Sequence, residues 1–127
     1  MMFLVIKMEY TVLEYQKEFE ELFEKYPHLK KFLINIQDDD HYILALKKSF
    51  YVDVSYLNDI IFHKLIGRKE YTRKDNLHIL KNQLTGEEMS LEIKNNKIYI
   101  HSSNKNNIFF YIIYQNLKSY VIMDKKL

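Results

Sequence analysis

The sequence contains no cysteine. That excludes a disulfide framework, a thiolate metal site and a cysteine nucleophile. It has two glycines, Gly67 and Gly86, and one proline, Pro27. With so few glycines a backbone cradle for phosphates is hard to build, and neither a P-loop nor a GxGxxG pattern occurs. A GxSxG elbow, an HExxH and an HxH pair are also missing, so serine-hydrolase and zinc signatures are absent. No apolar run approaches the ~20 residues of a membrane helix. The longest uninterrupted one is Ile108 to Tyr114. Met1 to Ile6 is too short for a signal-peptide core and has no basic residue ahead of it. These absences lead us to expect a cytoplasmic protein with no membrane partner and no cofactor.

The 127 residues suit one domain, 1–127, with a real core. Met8 could serve as the start, which would make residues 1–7 a dispensable extension. The net charge of +2 is unevenly spread. Residues 1–63 carry 11 acids and 7 bases, and residues 64–127 carry 6 acids and 12 bases. The front half is therefore acidic and the back half basic.

The fold expectation is α+β, with amphipathic helices packed on one face of a largely antiparallel sheet. The spacing of Val12, Tyr15, Phe19, Leu22, Phe23 and Tyr26 predicts a helix over Thr11–Tyr26. Thr11 and Glu14 read as its capping box and Pro27 as its stop. A second helix is expected from an N-cap at Ser55 to Ile66, followed by a C-cap glycine at Gly67. Phe3–Lys7 reads as a strand and Phe50–Val54 as another. Phe32–Gln37 and His41–Leu46 read as a hairpin turned at Asp38-Asp39-Asp40.

Arg68–Asn76 is polar and reads as a loop. Leu77–Leu84 reads as a strand and Thr85–Glu88 as a turn. Met89–Ile93 and Lys97–Ser102 form a hairpin joined by Asn95-Asn96. In the last stretch Phe110, Ile113, Tyr114, Leu117, Tyr120 and Val121 fit a helix face. The β-branched and aromatic content instead favours two strands, Ile108–Tyr114 and Ser119–Met123, turned at Gln115–Lys118. As strands, Ile108–Tyr114 would have to be central or covered in a homodimer, since an open apolar edge aggregates.

Candidate chemistry is sparse. Asp38, Asp39, Asp40 and His41 could hold a divalent metal for phosphodiester cleavage, but alternate residues of a tight turn diverge, and turns favour aspartate for local hydrogen bonding. Asp59 and His63 lie one helical turn apart, a spacing for a base and its orienter as well as for an ordinary surface contact. The clearest positive feature is residues 64–81. They hold six bases against two acids, among them both arginines of the chain. Lys64, Arg68, Lys69, Arg73 and Lys74 could neutralise phosphates or meet a partner, and Tyr71 between the arginines could stack on a nucleobase. A solvated basic loop has the same composition.

Residue choice is skewed towards Ile, Lys, Asn, Tyr and Phe, with one alanine, Ala45. These preferences follow AT-rich codons. In stretches such as NNKIYIHSSNKNNIFFYIIYQN the chain resembles small accessory proteins of AT-rich viruses, particularly those of thermophilic archaea. That group includes inhibitors of host CRISPR defence. The resemblance is one of style, rests on no motif and transfers no site residues. It implies a non-enzymatic binding protein that inhibits a host defence protein or ribonucleoprotein complex. The other functional expectation is a nucleic-acid-binding domain using residues 64–81. The eleven tyrosines suit protein recognition, since they bury much area at low entropy cost.

Overall fold

The computed structural model describes residues 7–15, 19–28 and 52–126. In chain order these form β1 (Met8–Glu14), α1 (Phe19–Lys25), α2 (Val54–Leu65), β2 (Tyr71–Lys74), β3 (Leu77–Lys81), β4 (Glu88–Lys94), β5 (Lys97–Ser102), α3 (Ile108–Asn116) and β6 (Tyr120–Lys126). The class is α+β. The expected strand Phe3–Lys7 and hairpin Phe32–Leu46 fall outside the described residues, except that Lys7 is described and lies just before β1.

The six strands form one antiparallel sheet in the order β2-β3-β4-β5-β1-β6. Register sets Tyr10 beside Ile100, Ile100 beside Leu91 and Leu91 beside His78. Val12, Ile98 and Ile93 form a second row. Side chains alternate across a strand, so these rows share one face. They are buried, and all but the polar His78 join one core cluster with Leu57, Ile61 and Leu65 of α2 and Phe109, Phe110, Ile112 and Ile113 of α3. On the opposite face Glu9, Thr11, Ser90, Glu92, Tyr99 and His101 are only partly buried.

Several expectations change. Where a helix Thr11–Tyr26 is predicted, Met8–Glu14 form a strand and Phe19–Lys25 a helix. Tyr10 and Val12 face the core, and Leu13 on the other face is also buried. Burial on both faces removes the simple alternation that would have marked a strand. The Thr11–Glu14 capping box therefore has no helix to cap.

The second correction concerns residues 68–76, where Tyr71–Lys74 form a strand rather than a loop. Asp75 sits in the left-handed region at φ 53° and turns the chain into β3. The third concerns Ile108–Tyr114, which lies within a helix. Asn107 caps it: its Oδ1 accepts from the amides of Phe109 and Phe110 at 3.0 and 3.3 Å. The second strand of that pair is present and runs on to Lys126.

Helix α2 starts one residue before the expected cap. The N-cap is Asp53, whose Oδ1 accepts from the Tyr56 amide at 3.1 Å. Val52 and Asp53 are thus not in the strand expected over Phe50–Val54. At the other end Ile66 is the C-cap, and Gly67 has no left-handed backbone. The β4–β5 hairpin matches expectation: Asn95 and Asn96 both have φ near +56°, as a two-residue type I′ turn demands.

Candidate functional site

The basic residues 64–74 run from the end of α2 into the edge strand β2, and the structure separates them into two groups. Lys64, Arg68, Lys69 and Lys74 are exposed. The Lys64 ammonium donates to Gln115 Oε1 at 3.2 Å, and Arg68 lies 4.0 Å from Glu70. Arg68 and Lys69 line a groove of about 460 Å³ with Leu80, Met89, Asn82 and Glu87. Leu80 and Met89 are cross-strand neighbours and give this groove an apolar wall.

Tyr71 and Arg73 point the other way along the strand from Thr72 and Lys74, towards α2. The Arg73 guanidinium lies over the Phe62 ring, 5.7 Å from its centroid, and its Nε donates to the Asp75 carbonyl at 2.7 Å. The Tyr71 ring stacks on His78 at 6.0 Å and 10°. Its hydroxyl is 2.7 Å from His78 Nδ1. Burial raises the Tyr71 hydroxyl above its ordinary pKa, an effect opposed by the nearby Arg73 charge. The stacking face expected for a nucleobase is thus partly taken by His78.

His78 joins a chain of hydrogen bonds between sheet and helix. Asn58 Nδ2 donates to Asn76 Oδ1 at 2.8 Å. Asn58 Oδ1 must then accept, so His78 Nε2–H donates to it at 2.7 Å. That leaves Nδ1 as an acceptor for Tyr71 O–H. The imidazole is neutral, fully buried and held at a pKa of about 4 by burial first and the Arg73 charge second.

A second group crosses the opposite face. Ser90, His101 and Glu9 lie side by side on β4, β5 and β1. His101 Nε2 is 3.1 Å from Glu9 Oε2. Both residues line a cleft of about 510 Å³ with Ser90, Glu92, Tyr99 and Lys94. Lys94 pairs with Glu92 at 3.3 Å and lies over the Tyr99 ring at 5.2 Å.

Sequence reasoning did not find Asn58, Asn76 or the Glu9–His101 row. Asn58 and His78 are twenty residues apart, and only the alternation of His78 with Leu80 marks the histidine as inward-facing. The Asp59–His63 pairing changes form: His63 Nδ1 meets the Asp59 carbonyl at 2.7 Å rather than its carboxylate. Asp38–His41 lie outside the described residues. Among the described residues no three His, Asp or Glu side chains group as metal ligands, and no helix is long and apolar enough to cross a membrane.

No protein-family model matches the chain, and no curated protein shows significant similarity to it.

Proposed function

We propose that the chain is a small non-enzymatic binding protein, an accessory factor that docks onto a host protein or ribonucleoprotein and inhibits it. The groove beside β2 carries this reading. It sets Leu80 and Met89 beside exposed Arg68 and Lys69. That mixture of an apolar wall with a rim of both charge signs, Arg68 and Lys69 beside Glu70 and Glu87, suits a protruding side chain or loop of a partner protein. In this reading α2 and α3 cover one face of the sheet, which accounts for the core they share with one set of strand positions. Exposed tyrosines Tyr56, Tyr111 and Tyr114 on the helices extend the recognition surface.

A second reading, nucleic-acid binding, is favoured by the exposed bases Arg68, Lys69 and Lys74 around the edge strand β2, with Arg73 exposed on its other side. The partner's phosphates would then supply the affinity, which would fall steeply with salt.

Affinity capture from host lysate, with and without nuclease, separates the two. Proteins retained after nuclease with the native chain, and lost with an Arg68→Ala, Lys69→Ala variant, are the expected result. Capture lost on nuclease treatment would move the assignment to nucleic acid. Empty capture in both arms would overturn both readings.

A further inference from the structure

Among the described residues no strand pairs with the outer side of β2 or of β6, and these two edges are built differently. Strand β2 has four residues, of which Thr72, Arg73 and Lys74 are exposed. Short, cationic edges resist pairing with another chain. Strand β6 has seven residues and begins Tyr-Val-Ile-Met, all four only partly buried. Its apolar first four residues, free of proline, are a template for another strand, and the charged residues Asp124, Lys125 and Lys126 follow them.

Register identifies which backbone groups it offers. The Tyr15 amide donates to the Ser119 carbonyl at 3.0 Å. Hydrogen-bonded pairs alternate along an antiparallel ladder, so Leu13–Val121, Thr11–Met123 and Glu9–Lys125 are the bonded pairs. Tyr120, Ile122 and Asp124 therefore turn their N–H and C=O groups away from β1, towards the open side.

We infer that β6 pairs antiparallel with β6 of a second copy of this chain, about a two-fold axis at Ile122, to make one continuous sheet. A symmetric pairing must join outward-facing positions. Centred on Ile122 it sets Ile122 opposite Ile122 and Tyr120 opposite Asp124 in each direction, which uses all three outward positions of both strands. The Tyr120 hydroxyl can then donate to the Asp124 carboxylate. On the other face it sets Val121 opposite Met123. Centring on Asp124 instead places two carboxylates opposite each other. Centring on Tyr120 or Val121 sets Asp124 opposite a residue outside β6, and centring on Met123 sets Asp124 opposite the apolar Ile122. The complementarity of Tyr120 with Asp124 and of Val121 with Met123 is what selects a second copy as the occupant.

Amide exchange on the native chain tests this without mutation. Between dilute and concentrated protein the amides of Tyr120, Ile122 and Asp124 slow by about tenfold or more, while Val121 and Met123, already bonded to β1, do not change. A register-specific swap gives a second arm. Val121→Lys with Met123→Lys puts like charges opposite each other and yields a monomer, as does Val121→Glu with Met123→Glu. Mixing the two restores a dimer by sedimentation velocity. A native chain that sediments as a monomer at all concentrations, or a dimer that survives both double substitutions, overturns the assignment.

Discussion

His78 Nε2 lies 2.7 Å from Asn58 Oδ1, and this bond ties the second strand of the basic hairpin to the middle of helix α2. Protonation of His78 would leave Nδ1 carrying a hydrogen towards the Tyr71 hydroxyl, which must then turn to accept it. The folded chain resists that proton down to about pH 4, whereas the unfolded chain binds it near 6.5. A histidine with a depressed folded pKa contributes its full stability above pH 6.5 and loses it as the pH falls towards 4. The loss amounts to about 3 kcal/mol over that window. Urea unfolding at a series of pH values should show this fall, and a His78→Gln variant should flatten it. A native profile with no slope between pH 6.5 and 4 would refute the assignment.

Asn58→Ala removes the acceptor for His78 and the donor for Asn76 together. Both remaining groups stay in the protein, so the cost should be about 2–4 kcal/mol, above that of an ordinary helix-surface change. Tyr71→Phe removes only the donor to Nδ1 and should cost about 1–3 kcal/mol. The two residues share His78, so their effects should not add. Chemical denaturation of the two single variants and the double variant measures the coupling directly.

The chemistry of this network was hidden in the sequence because Asn58 lies 18 and 20 residues from its partners Asn76 and His78, and no local spacing joins them. Regular turns were readable: Asn95-Asn96 carried the hairpin, since asparagine tolerates the left-handed backbone both positions need. Burial on two sides defeated the reading elsewhere. Val12 and Leu13 are adjacent and both buried, which imitates no strand pattern, and Val12 with Tyr15 happened to fit helical spacing. In Ile108–Asn116 the aromatic and β-branched residues argued for strand, but packing decided. Phe109, Phe110, Ile112 and Ile113 fill the core at helical spacing, while Tyr111 and Tyr114 stay 45% exposed on the outer side. The basic site was legible as composition only, because which bases point outward depends on strand β2.

The basic residues should separate into two classes on substitution. Arg68→Ala, Lys69→Ala and Lys74→Ala leave melting temperature unchanged, since exposed single charges contribute little to folding. They weaken any partner or phosphate binding and reduce its salt dependence. Arg73→Ala destabilises the fold by up to about 1 kcal/mol, because it removes the cation from the Phe62 ring. Thermal melts alongside salt-series binding titrations check both classes. Equal effects of Arg73 and Lys74 on melting would contradict the geometry.

Asn107 holds the last helix to the end of β5. Besides accepting from Phe109 and Phe110, its Nδ2 donates to the Asn104 carbonyl at 2.9 Å and to Ser102 Oγ at 3.3 Å. Ser102 is buried and itself donates to the Asn104 carbonyl at 2.7 Å. Asn107→Ala should cost about 1–2 kcal/mol, the upper part of the range for an N-cap, because the loop loses its anchor as well. Asn107→Asp keeps the acceptor for both helix amides and adds a charge that suits the helix N-terminus, but it loses the two Nδ2 bonds. It should therefore fall between the native chain and the alanine variant. Denaturant midpoints order the three, and an aspartate variant weaker than alanine would show that the loop bonds, rather than the cap, dominate at this position.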